Sequence, residues 1–207
     1  CFAAEQAPES FAEQISYVPP PAGETILEAI ASGPDLAGDV LWERILLLIA
    51  SAQETCTLIT PYFIPDEVTF RNIELKAKAG THVRLIVPEH SDHKLIDVAC
   101  NSYLHTLEKA GCEILLYRGE QLLHAKLVTV DHRQALIGSV NLDMRSLFVN
   151  FEIGLSIESV PEVRRLESWV TQSVLPNCVP YAQTKQSQSG NTRRLLEDAA
   201  HLISPLL

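Results

Sequence analysis

Residues 122–141, LLHAKLVTVDHRQALIGSVN, set a histidine, a lysine and an aspartate into an apolar stretch and close it on Gly138, Ser139 and Asn141. On an extended chain, residues i and i+2 share a face, so His124 and Lys126 present an imidazole and an ammonium side by side. The stretch reads as two strands, 124–130 and 134–140, around a turn. A two-residue loop at His132 and Arg133 would set Lys126 opposite Ser139 and His124 opposite Asn141; a longer loop would shift that pairing. Four such groups converging on one spot suit a phosphoryl centre. Lys126 would neutralise non-bridging oxygens, and Ser139 and Asn141 would donate hydrogen bonds to them. An unperturbed imidazole has its pKa near neutrality, so a histidine such as His124 would attack phosphorus or protonate a leaving oxygen. Asp131 has the opposite parity from His124, which favours a turn-stabilising role over a direct chemical one. The hairpin holds no second histidine or carboxylate at ligand spacing, so no metal and no cofactor is expected.

The elements that must position these groups follow from periodicity and breakers. VPPPAG (18–23) and SGPD (32–35) interrupt the N-terminal stretch. Asp39 is then a candidate N-cap for a helix with Val40, Leu41, Ile45, Leu48 and Ile49 near helical spacing. CTLIT (56–60) reads as a buried strand, and Asp66 as the cap of a helix running to Gly80. A strand over 82–88, a helix over 92–110 and a strand over 112–118 come next, and FEIGLSI (151–157) adds another strand. The alternation predicts an α/β class with a mixed, largely parallel sheet flanked by helices on both faces. Beyond Pro161 the pattern is helical, interrupted by a loop-like stretch from Leu175, and the tail from Thr192 reads as a short amphipathic helix.

The 207 residues are 46% hydrophobic and 20% charged, enough for a real core and unlike a disordered chain. A net charge of −10 argues against a nucleic-acid surface. The five cysteines lack paired spacing and read as buried free thiols of a reducing compartment. No apolar run approaches the roughly 18–20 residues that span a bilayer.

His124-x-Lys126, four residues, Asp131, six residues, then Gly138-Ser139-x-Asn141 resembles the HKD signature of the phospholipase D superfamily at each position. TPYFIPDE (60–67), Ser91-Asp92, GSVNLDMRSLFVNFE (138–152) and the terminal SPLL are similar to the second half of bacterial cardiolipin synthases. The opening CFAAEQ resembles the segment just after that family's first HKD motif, which disfavours reading Cys1 as a lipidated N-terminus. The resemblance implies a phospholipase D-like domain in which two HKD motifs build one site. One histidine becomes a phosphohistidine and the other serves as acid and base, the second-motif histidine more often the latter; the sequence does not assign the role of His124. Lys126, Ser139 and Asn141 carry over as phosphate ligands. Glu152 matches a carboxylate that orients a catalytic histidine, and Arg145 either binds a headgroup phosphate or pairs with Asp143. Tyr62 and Phe63 line a substrate channel or pack in the core, and His90 and His93 read as a polar loop near the site mouth.

The expected organisation is an extension over 1–38, the catalytic domain over 39–160 and a C-terminal helical segment over 161–207. The implied activity is phosphatidyl transfer between phospholipids, with phosphatidylglycerol and also phosphatidylethanolamine as candidate substrates. The N-terminal HKD half of the same protein or a second chain would be the partner, with no nucleic acid. The intact enzyme would work at the bacterial inner membrane, the segment itself being soluble. Two alternatives stand: a single-motif phosphodiesterase or nuclease active as a homodimer, and an isolated half without activity.

Overall fold

The computed structural model describes residues 25–91 and 94–184. The readings made for CFAAEQ, VPPPAG, Asp92, His93, the tail helix and SPLL lie outside the described residues.

The main sheet has eight strands in the order β1-β9-β7-β6-β2-β4-β5-β10. They are β1 (Leu27–Ser32), β2 (Thr55–Ile59), β4 (His82–Pro88), β5 (Glu113–Tyr117), β6 (Leu127–Val130), β7 (Gln134–Gly138), β9 (Glu152–Glu158) and β10 (Cys178–Pro180). Two short strands, β3 (Phe63–Ile64) and β8 (Leu142–Asp143), pair in parallel as a separate ladder. Helices α1 (Val40–Ser51), α2 (Glu67–Lys78), α3 (Lys94–Lys109), α4 (Met144–Phe148) and α5 (Val160–Trp169) complete the unit.

The α/β class and mixed sheet stand as expected, but the balance of pairs differs. In the main sheet only β2–β4 and β4–β5 are parallel, where α2 and α3 provide the crossovers. The other five pairs of the main sheet are antiparallel. Part of the cause is the three-residue loop between β6 and β7, too short to hold a crossover, so those strands pair as a hairpin. Strand β9 then returns beside β7, antiparallel to it. Leu27–Ser32, within the stretch read as an extension, forms the edge strand beside β9. Val179, in the loop-like stretch, pairs with Leu116 at the other edge.

Alternation sorts the strands between two apolar layers. Val83, Leu85 and Val87 of β4 face α1, α2 and α3, packing with Leu41, Ile45, Ile73 and Leu107. Ile86 faces the opposite side with Leu115, Leu127 and Ala135, covered by Val163 of α5 and by Val170 and Val174 of the π-helical turn after it. Each fully buried aliphatic side chain contributes about 1.5–3 kcal/mol. The helix caps separate into two kinds. Asp39 occupies the N-cap of α1 without a side-chain bond, whereas Asp66 accepts the Val68 and Thr69 amides at the start of α2. Gly80, at φ +96, ends that helix as its lack of a β-carbon allows.

Candidate active site

The parallel strands β2, β4 and β5 end at one edge of the sheet, where α/β folds hold their ligands. At this edge Ile59 pairs with Leu127, and Leu127 with Ile137. Beyond Ile59 the chain runs into Thr60 and Pro61, and proline has no N–H to extend the ladder. The strand expected to start at residue 124 therefore begins at Leu127, and His124 and Lys126 hang beyond its end on an extended segment.

Their side chains meet as the i, i+2 spacing requires. Lys126 Nζ lies 2.8 Å from His124 Nδ1 and 3.2 Å from Nε2, and donates to the His124 carbonyl at 2.9 Å. The Tyr62 ring stands edge-on to the imidazole, centroids 6.4 Å apart. Tyr62 is placed by its neighbours: the Thr60 hydroxyl donates to the Tyr62 carbonyl at 2.8 Å, and its oxygen accepts the Leu142 amide at 3.2 Å. Of the two aromatic residues offered as channel or core, Tyr62 flanks His124 and Phe63 is fully buried against Tyr103.

The second polar group sits where β7 ends and β9 begins. The Ser139 hydroxyl donates to Glu152 and accepts the Ile153 amide at 3.0 Å, while the Ser139 amide donates to the Ile153 carbonyl at 3.0 Å. Asn150 Nδ2 approaches the other Glu152 oxygen at 3.4 Å. Gly138 explains how the strands come so close: a β-carbon there would collide with the Ile153 carbonyl oxygen and lie 2.9 Å from Gly154 Cα. Asn141 donates to the Ser146 hydroxyl at 3.1 Å, and its Oδ1 is buried without a hydrogen-bond partner among the described residues.

The hairpin register corrects the expectation of a two-residue loop. Val130 pairs with Gln134, so three residues form the loop and the pairing shifts by one. Extended past its last pair, this register sets Lys126 toward Gly138 rather than Ser139. The reason is Asp131, whose carboxylate accepts the backbone amides of Gln53, Glu54 and Thr55 at 2.8–2.9 Å. Those bonds draw the turn toward the start of β2 and hold Asp131 and His132 at φ 49 and 58. Side chains with a β-carbon adopt that region at a cost of about 1–2 kcal/mol per residue, less for aspartate. Asp131 thus sits at the far end of β6 from His124, and is not brought to the polar groups at the sheet edge.

The electrostatics differ at the two ends of β6. Burial disfavours the Lys126 ammonium and sets its pKa below the ordinary lysine value, though the Glu152 and Asp143 carboxylates act the other way. Burial alone would push the Asp131 carboxyl up, but the Thr55, Gln53 and Glu54 amides, helped by His132, hold it below the usual range. Asp143 caps α4 by accepting the Ser146 amide at 2.7 Å, and Arg145 is exposed with no ion pair among the described residues. The thiols of Cys56, Cys100 and Cys112 are pushed up to about 12 by burial and stay protonated at neutral pH. His90 is exposed in the loop after β4, next to Ser91, whose amide donates to Asp97 at 3.0 Å.

The expected four-group cluster is therefore two bonded pairs, His124–Lys126 and Ser139–Glu152, with Asn141 turned toward Ser146. Sequence reasoning missed Asn150 and Ser146 as partners of site residues. Their signal was their position in the polar run around the β8–α4 junction and the start of β9.

The family model for the cardiolipin synthase, PLD-like domain matches residues 45–174, the span that holds these pairs. A cardiolipin synthase of Alkalihalophilus pseudofirmus is 34% identical over 187 residues, covering 89% of this chain and 36% of that protein. The chain spans little more than a third of the length of this curated relative. Among solved structures, a phosphatidylserine synthase from Haemophilus influenzae matches with a TM-score of 0.68 at 19% identity, over 87% of this chain and 47% of that one. The phospholipase D family member Nuc from Salmonella typhimurium matches with a TM-score of 0.63 at 20% identity, over 76% of this chain and 99% of that one. The two structures share the fold; the family match carries the sequence that builds the sheet edge. The chain belongs to the phospholipase D-like domain family of cardiolipin synthases.

Proposed function

We propose that this chain supplies one half of the active site of a phosphatidyl transferase that moves a phosphatidyl group between phospholipids through a phosphohistidine. The observation that carries the reading is the His124–Lys126 pair at the carboxyl edge of the sheet, beside the Ser139–Glu152 pair. An imidazole and an ammonium there offer a nucleophile or proton carrier next to a cation for the phosphate oxygens.

In the first step an imidazole nitrogen attacks phosphorus, and the phosphorus–oxygen bond to the leaving glycerol breaks as that oxygen takes a proton from a second imidazole. In the second step the acceptor alcohol returns a proton to that imidazole, its oxygen attacks phosphorus, and the histidine is released. One imidazole cannot hold the phosphoryl group and shuttle the proton at once, so the site needs a second His-x-Lys motif from another domain or chain. Lys126 counters the charge of the non-bridging oxygens, Asn141 donates to them through its second N–H, and Ser139 does so once its hydroxyl turns from Glu152 to the phosphate. Glu152, in the grip of Ser139 and Asn150, orients a histidine. Arg145, exposed and without an ion pair among the described residues, suits a headgroup phosphate. Asp131 serves the chemistry at a distance by pinning the hairpin tip. Phosphatidylglycerol, alone or with phosphatidylethanolamine, would be the substrate at the inner-membrane surface. No described helix is long and apolar enough to cross a membrane.

The shared fold unit fills the Nuc chain but about half of the phosphatidylserine synthase chain, which supports a unit that works in pairs. The test is turnover of phosphatidylglycerol in mixed micelles by the 207-residue chain alone and mixed with a polypeptide carrying the other motif. Activity only in the mixture is expected. Activity of the chain alone, with a dimer in sedimentation, would overturn the two-motif reading in favour of a homodimeric phosphodiesterase.

A further inference from the structure

Next to the polar pairs, the sheet face under α5 carries an apolar cleft of about 530 Å³. Ala29, Ile137 and Leu155, from three neighbouring strands, line its floor, and Leu166 and Trp169 of α5 form a wall. Lys126 also lines it, and Ile153 and Gly138 join it to Glu152 and Ser139, their chain neighbours. Two of its apolar residues stand open to solvent, Ile153 at 56% exposure and Trp169 at 40%.

We propose that this cleft is an acyl-chain site, holding the hydrocarbon tail of a phospholipid whose phosphate lies against Lys126. The inference rests on the phosphate reading of the His124–Lys126 pair and adds where the rest of the substrate goes. A polar ligand without a tail would use the cation and leave the apolar floor wet, whereas a phosphate ester of a long-chain lipid matches both ends at once. The size fits: a cavity of about 150 Å³ takes one benzene, roughly 25 Å³ per carbon, so about twenty carbons fill this cleft. Its span suits a chain lying across the strands. From β1 to β6 are three gaps of about 4.8 Å, roughly 14 Å, and the floor is apolar throughout. Ala29 is exposed on the edge strand β1, so the small side chain keeps the outer end of the cleft open.

The test is calorimetric titration of the 207-residue chain with inorganic phosphate and with alkyl phosphates from ethyl to decyl, below their micellar concentrations. Affinity is expected to rise with chain length, up to about fourfold per methylene. Ala29→Trp, which fills the cleft from an exposed position, should flatten that rise, and Lys126→Ala should weaken inorganic phosphate and alkyl phosphates alike. A flat series with inorganic phosphate still bound overturns the acyl site and leaves the phosphate reading standing. A rise that persists in Ala29→Trp also overturns it, since the tails would then bind elsewhere. A flat series together with a dimer that Ala29→Trp dissociates would assign the cleft to a second copy. If neither inorganic phosphate nor any alkyl phosphate binds, the phosphate reading fails and the acyl site with it.

Discussion

The Lys126 ammonium rests on the ring and on the carbonyl oxygen of His124, 2.8 Å from Nδ1 and 2.9 Å from the oxygen. The pair holds an imidazole and an ammonium together at one point of the sheet edge. A phosphate ester arriving there would meet the cation and the imidazole in one encounter.

Lys126→Met is expected to lower kcat/KM of the complemented enzyme by about 10²–10³-fold, the usual loss when one charge-stabilising donor is removed. It should also raise stability at neutral pH. Because the native pKa of Lys126 lies below its unfolded value, the unfolded state binds more protons between the two. Wild-type stability therefore rises with pH through that window, and the penalty for holding the charged form is fully present below it. Urea midpoints at pH 7 that fall in the variant would refute this.

At the other end of β6, Asp131→Asn should cost stability rather than chemistry. The amide keeps one acceptor oxygen for three backbone donors and turns an N–H toward the others, at about 1–3 kcal/mol. The native carboxyl titrates below its ordinary value of 3.8, so its contribution is present above that value and lost as pH falls through the native one. Denaturation midpoints of wild type and variant should thus converge in acid and separate above about pH 4. At a temperature where the variant is folded, a loss of activity as large as that of Lys126→Met would place Asp131 in the chemistry.

Gly138→Ala forces β7 and β9 apart, since the new methyl meets backbone rather than a movable side chain. Overpacking of this kind costs about 1–3 kcal/mol. The separation carries Ser139 away from Glu152, so turnover should drop even under strongly stabilising conditions. Thermal melts and rates measured side by side check this; full activity at a reduced melting temperature would mean the close approach matters only for folding.

His124→Ala should remove turnover by about 10²–10⁴-fold while circular dichroism stays native. Glu152→Gln should cost less, because an amide can still accept the Ser139 hydroxyl and only the charge proposed to orient a histidine is gone. Rate constants for both variants in the complemented enzyme decide the order. An equal or larger loss from Glu152→Gln would show that its carboxylate takes a direct part.

Several features could be read from local sequence because their physics is local. Asp66 caps α2 through amides two and three residues on, and Gly80 ends the helix by its own backbone freedom. His124 and Lys126 meet because two residues of extended chain bring their side chains to one side. The motif's polar residues, too, could be named from their types and spacing once the resemblance to the HKD signature was seen. Tertiary structure decided what long-range partners decide. The loop gained a residue because Asp131 binds amides more than seventy positions earlier. Ser139 turned to Glu152 and Asn141 to Ser146 because the close approach of β7 and β9 and the β3–β8 pair set their surroundings. The edge strand β1, with no strong pattern of its own, exists because β9 offers it a row of free backbone groups to pair with. Side-chain chemistry is written in residue types and short spacings, whereas register and cleft shape depend on which backbones approach, and that is settled only when the whole sheet assembles.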